Sequence, residues 1–205
     1  AVGTNLSFEN TNGSLAIDVI DVGTSKDVTL KVSDNITNDN GAGNNITANN
    51  LILSASTGIG SADALETQVS NVSAQVTDTS ATGNIEITNT GSLTLDNLAG
   101  WGYAVKNFGA GNITIEAIGD DATSLFVSAS IVSTAGDISL SATNTVTAEI
   151  ADIDYSYDNS SSYYALLSVG NTQITSSTGN ITLSATNNVA ITIDEYRLYL
   201  HPVVL

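Results

Sequence analysis

The chain has 205 residues, 41% of them hydrophobic, with twenty-one acidic side chains against four Lys plus Arg and a formal net charge of −17. That apolar share is enough for a core and excludes wholesale disorder, while the charge repels phosphate backbones and anionic headgroups and so argues against nucleic-acid and electrostatic membrane partners. Cys is absent, which removes disulfides and thiol chemistry, and no apolar run approaches the roughly 18 to 20 residues that insert into a bilayer as a helix.

The apolar residues are mainly Ile, Leu, Val and Ala, set among Thr, Ser and Asn, with few helix formers. This mixture suits half-buried strands joined by tight turns, so the expected class is all-β. Met is also absent and residue 1 is a small residue, Ala1. A processed leader and a secreted or cell-surface location are the expectation.

Near the N-terminus Leu6 and Phe8 alternate with polar neighbours, a strand pattern. Asp34 and Asp39 follow among Asn residues and raise the question of a cation, although a solvated acidic loop accounts for them equally. From Gly83 a phrase begins to recur. Gly83-Asn84-Ile85 returns as Gly111-Asn112-Ile113, Gly136-Asp137-Ile138 and Gly179-Asn180-Ile181. Between 136–150 and 179–193 nine of fifteen positions are identical without a gap, at an offset of 43 that also relates Ile131 to Ile174. The other spacings are 28 and 25, and Gly43 lies 40 before Gly83.

Reading 40 and 43 as two units each gives a repeat of about 20 to 28 residues, the size of a stacked coil. Within a unit Ile85 and Ile87 alternate with Glu86 and Thr88, and Leu93 and Leu95 resume after Asn89-Thr90-Gly91. Period-two alternation between Gly and Asn breaks signals short strands joined at corners. The Gly of each phrase is expected to supply positive φ there. The expected fold is a right-handed parallel β-helix (β-solenoid) of about nine coils, roughly 45 Å long, over residues 1–193 as a single domain. The alternative is an antiparallel β-sandwich.

The stretch LILSASTGIGSADALETQVSNVSAQVTDTSATGNIEITNTGSLTL (51–95) resembles the repeat regions of filamentous-haemagglutinin-type adhesins and related large bacterial surface proteins. The resemblance, which covers residues from about 43 to 193, implies a right-handed parallel β-helix serving as an extracellular stalk or adhesive rod. The chain departs from that family in two respects: its one Pro is Pro202, so an Asn-Pro-Asn-Gly secretion motif is missing, and there is no Arg-Gly-Asp triplet.

Three stretches interrupt the repeat. Trp101, Tyr103 and Phe108 sit among glycines; exposed, Trp101 and Tyr103 would stack on a glycan, whereas folded back they would cover the coil. The segment 152–167 combines Tyr163 and Tyr164 with Ser and Asn, as adaptable recognition surfaces do. Its Asp152, Asp154 and Asp158 are calcium candidates, in spacing that matches no known calcium loop. The C-terminal DEYRLYLHPVVL (194–205) abandons the repeat and alternates Tyr196, Leu198 and Leu200 with Arg197, Tyr199 and His201. It reads as a cap or as a strand offered to another subunit, with Leu6 and Phe8 as its counterpart.

An enzyme is not expected. His201 is the single His, and no nucleophile elbow, phosphate loop or His-based metal motif occurs. Ice binding through pairs such as Thr88 and Thr90 is set aside because unequal intervals should spoil a regular array. The function expected is that of a non-enzymatic structural protein that self-associates into a filament or surface layer, or forms the stalk of an adhesin. The alternative is a monomeric glycan-binding module, and more remotely a carbohydrate-active β-helix enzyme. Its partners would be copies of itself and surface glycans, and no cofactor is expected apart from the Ca²⁺ in question.

Overall fold

The structure is a computed structural model that describes residues 4–41, 43–150, 166–169 and 172–193. These form strands and turns without a helix. The strands make a 12-stranded and a 10-stranded sheet, and every strand pair is parallel except Leu166–Val169 against Thr172–Ser176. Parallel ladders rule out the antiparallel sandwich.

In the second sheet Leu15–Ile17, Asn35–Asn38, Gly58–Ile59, Ile85–Thr90, Ile113–Ile118, Ile138–Ala142 and Ile181–Ala185 stack in that order. In the first sheet Leu6–Asn10, Val28–Val32, Asn50–Ala55 and Asn71–Val76 stack likewise. Each pass of the chain therefore lays its strands on those of the pass before, and the core is a set of like-with-like columns. Ile36, Ile59, Ile85, Ile113 and Ile138 form one such column, at most 1% exposed. Leu30, Leu53 and Ala74 form another.

Among the described residues the second sheet stacks seven strands and the first eight, where nine coils were expected; eight strands about 4.8 Å apart span about 34 Å. The reason lies in the 43-residue interval. Ile138 pairs directly with Ile181, and Thr145 with Asn188, so 43 residues are a single enlarged pass rather than two. Gly43 does not belong to the column of Gly83 either. Ile85 lies on Ile59 and Ile59 on Ile36, which places Gly58 beside Gly83.

The corner chemistry also differs from expectation. Positive φ belongs to Gly13, Gly23, Gly41, Gly60, Gly91, Gly100 and Gly102, and to none of the repeated Gly-Asn/Asp corners. Those corners need Gly because backbones touch there. A Cβ on Gly111 would collide with the carbonyl oxygen of Gly83, one on Gly136 with that of Gly111, and one on Gly179 with that of Gly136.

The next residue continues the contact. Asn84 Oδ1 accepts from the Asn112 N–H at 2.9 Å, Asn112 Oδ1 from the Asp137 N–H at 2.9 Å, and Asp137 Oδ1 from the Asn180 N–H at 2.7 Å. In return the Ile85, Ile113 and Ile138 N–H groups donate to the carbonyls of Asn112, Asp137 and Asn180. The ladder asks only for a side-chain acceptor, which is why Asp137 can replace Asn.

Three fully buried Asn side chains lock other bends. Asn107 Nδ2 donates to the carbonyls of Gly83 and Gly111, both at 3.0 Å. Asn89 Oδ1 accepts from Thr67 Oγ1 and the Val69 N–H. Asn45 donates to the Ile17 carbonyl and accepts from the Glu66 N–H. With its amide so engaged, the sequon at Asn45 is closed to glycosylation in the folded chain.

Gly111→Ala forces a methyl group onto backbone, and overpacking of this kind costs about 1–3 kcal/mol; urea denaturation should show the lowered midpoint. At Asp137 the same measurement separates the acceptor from the charge. Asp137→Asn should stay within about 0.5 kcal/mol of the parent, and Asp137→Ala should lose about 1 kcal/mol.

Candidate functional site

Two places stand out from the repeat: a loop of aromatic side chains on the first sheet, and the first pass of the stack. The loop arises where a strand splits. Asn71–Val76 is continuous, but the next pass meets it with two pieces, Leu95 on Val72 and Val105 on Ala74. Residues 96–104 bulge out between them. Gly100 and Gly102, at φ of 71° and 85°, allow the bulge to turn back. Ser73 Oγ donates to the Asp96 carbonyl and accepts from the Leu98 N–H, and Asn97 Oδ1 accepts from the Gly102 N–H.

Within this loop the rings of Trp101 and Tyr103 lie 5.9 Å apart at a tilt of 34°, and Tyr103 meets Phe108 edge-on at 6.2 Å. The Lys106 ammonium sits 4.0 Å above the Phe108 ring and 5.3 Å from that of Tyr103. Tyr103 donates its hydroxyl hydrogen to Gln75 Oε1 at 2.6 Å, and Gln75 Nε2 donates to Ser54 Oγ at 3.0 Å. All three rings are half-buried. Burial pushes the Tyr103 hydroxyl above the ordinary tyrosine range. The aromatics thus fold back on the sheet and leave one side of a Trp–Tyr–Phe cluster to solvent beside an amide and an ammonium, which equips the surface for stacking and hydrogen bonding.

Sequence spacing brought Trp101, Tyr103 and Phe108 together. It could not find Gln75 and Lys106 as their partners, since Gln75 reaches them only through the Gln75–Lys106 register of neighbouring passes.

The same split recurs in the two following passes, between Val127 and Ile131 and between Ile150 and Thr172. The second of these gaps holds the acidic, tyrosine-rich segment. Asp152, Asp154, Asp158, Tyr163 and Tyr164 lie outside the described residues, as do Tyr196, Leu198 and Leu200. Among the described residues no group of three or more His, Asp or Glu is placed to hold a metal ion. Asp34 accepts from Thr57 Oγ1 at 2.7 Å and Ser14 Oγ at 2.8 Å; these bonds, that of Thr57 foremost, hold its carboxyl below the usual range. It serves as a staple between passes.

The outward rows of the second sheet correct the argument about ice binding. Glu86, Thr114, Ser139 and Thr182 stand in register, as do Thr88, Glu116, Ser141 and Ser184. Unequal intervals are absorbed in loops and do not spoil the array; what breaks a threonine array is the mixture of Glu and Ser within it.

The first pass exposes what later passes bury. Phe8 shares a column with Leu30 and Leu53, which are 1% and 0% exposed, yet is itself 41% exposed. Leu6 is only half-buried while Val28 and Leu51 in its column are fully buried. Leu6–Asn10, Leu15–Ile17 and Ile20–Asp21 each pair on one side only among the described residues. At the far end Val189 is 38% exposed in a column where Val146, Leu125 and Leu93 are fully buried.

No protein-family model matches the chain, and no curated protein or solved structure matches it.

Tyr103 should ionise above the ordinary tyrosine range, so Tyr103→Phe should remove a late-rising part of the ultraviolet tyrosinate titration. Because the folded state raises this pKa, its contribution to stability is intact below the unfolded value and is lost as pH rises through the folded one. The alkaline loss of stability should therefore be shallower in the variant.

Proposed function

We propose that the chain is a right-handed parallel β-helix working as a non-enzymatic structural protein outside the cell, self-associating end to end into a filament or surface layer or forming the stalk of an adhesin. The handedness follows from the general rule for parallel crossovers. The observation that carries the function is the open first pass, where Phe8 stands exposed in a column buried everywhere further along. Open parallel edges with unpaired N–H and C=O groups are templates for another strand. The extracellular setting and the adhesin connection rest on the sequence resemblance of residues 43 to 193.

A second reading, a module that binds surface glycans, draws on the Trp101, Tyr103 and Phe108 cluster with Lys106 and Gln75 beside it. Aromatic faces stack on sugar rings, and the neighbouring amide and ammonium would bond hydroxyls.

Sedimentation velocity and electron microscopy over a range of concentrations test the first reading. Species that lengthen with concentration at constant width are expected; a single unchanging monomer would remove self-association and leave the glycan reading, which Trp101→Ala on a glycan array then addresses.

A further inference from the structure

The proposed self-association leaves open which surfaces meet and in what register, and the two ends of the stack answer that. At the C-terminal end Ile181, Leu183 and Ala185 continue the columns of Ile138, Leu140 and Ala142 but are only partly buried. At the N-terminal end Leu15 begins the column that runs through Ile36 and Ile59 to Ile181. The last member and the first are thus the same kind of residue at the same place in the cross-section. Either could follow the other by one more step of the repeat.

The corner groups complement each other as well. Inside the stack the corner acceptors Asn84, Asn112 and Asp137 each take the N–H of the equivalent residue in the next pass, and the Ile N–H that follows each donates to that residue's carbonyl. The equivalent of Asn180 in the first pass is Ser14, which precedes Leu15. Asn180 Oδ1 and the Ile181 N–H at one end therefore face the positions that the Ser14 N–H and carbonyl would occupy at the other.

Charge points the same way. Residues 166–193 contain no Asp, Glu, Lys or Arg, in a chain whose net charge is −17. On the first pass the strands Leu6–Asn10 and Leu15–Ile17 carry one charge, Glu9, which is ion-paired with Lys31 at 2.9 Å, and the acidic groups of that pass, Asp18, Asp21 and Asp27, lie beyond them. Edges that must stay single are usually guarded by charge, lysine above all. The last pass and the first-pass strands Leu6–Asn10 and Leu15–Ile17 thus carry little charge, and a second copy of so acidic a chain could approach them there without direct repulsion.

From these observations we infer that two copies join head to tail, the first pass of one laid in parallel on the last pass of the other, with Leu15 on Ile181, Ala16 on Thr182 and Ile17 on Leu183. The inference rests on the self-association proposed above. The two surfaces differ, so the contact is heterologous: it does not close into a dimer, and repeats as an open filament.

Ala16 and Thr182 are exposed and outward-facing, and at the junction they would stand directly opposite each other. Within one chain their neighbours are Thr37 and Ser139. Ala16 and Thr182 do not meet within one chain and each pairs there with an uncharged residue, so four double variants test the register without creating a charge pair inside the monomer. Ala16→Glu with Thr182→Lys, and Ala16→Lys with Thr182→Glu, leave the net charge unchanged and put opposite charges at every junction; they should assemble at least as well as the parent. Ala16→Glu with Thr182→Glu, and Ala16→Lys with Thr182→Lys, put like charges there and should raise the concentration needed for assembly about threefold to fivefold.

The lysine pair is decisive, because it lowers the overall acidity and would promote assembly if only net charge mattered. Sedimentation velocity gives the readout, and circular dichroism confirms that each variant is folded. Should the parent assemble while like and opposite pairs behave alike, the head-to-tail register is wrong and self-association stands. Should the parent remain monomeric at every concentration, with its ends covered by another part of the chain, both proposals fall.

Discussion

The structure depends on one contact, the meeting of backbones at the glycine corner. Where Gly83, Gly111, Gly136 and Gly179 follow one another, the carbonyl oxygen of one pass occupies the space a side chain would fill on the next. That closeness brings the following residue within hydrogen-bonding distance of its equivalent, and Asn84, Asn112, Asp137 and Asn180 form a ladder of side-chain acceptors. The ladder pins the register of these passes, and register places Ile85, Ile113, Ile138 and Ile181 on one another. A slip of one residue would turn every Ile outward. Asn107 then fastens the same corner from inside by bonding two successive glycine carbonyls.

With register fixed at the corner, the remainder of each pass is free to vary in length. Passes differ by the size of what is inserted between their strands, whether the aromatic loop at 96–104 or the long segment after Ile150. The splits between Leu95 and Val105, between Val127 and Ile131 and between Ile150 and Thr172 lie over one another on the first sheet, while the second sheet presents registered rows of Thr, Ser and Glu.

Much of this was legible in the sequence. The recurrence of Gly-Asn/Asp-Ile located one column of the core, alternation around Ile85 and Leu93 assigned the inward faces, and glycines around Trp101 marked a loop. These are local properties: period-two alternation and turn chemistry are set by a few neighbouring residues, and a repeat is visible because each pass solves the same packing problem with the same residues. An acidic, cysteine-free, all-β chain was likewise fixed by composition alone.

What the tertiary structure decided were matters of which residues lie across from one another. The 43-residue interval divides numerically into two units, and only the pairing of Ile138 with Ile181 makes it one. Glycine at a corner is equally consistent with positive φ and with close approach, and only the neighbouring carbonyl distinguishes them. Gln75 became the partner of Tyr103 across neighbouring passes. Phe8 reads as a strand residue from its alternation, and its exposure follows from where its column ends. Sequence carries the rules of a single pass, whereas register and termination arise between passes, through contacts that no local pattern encodes.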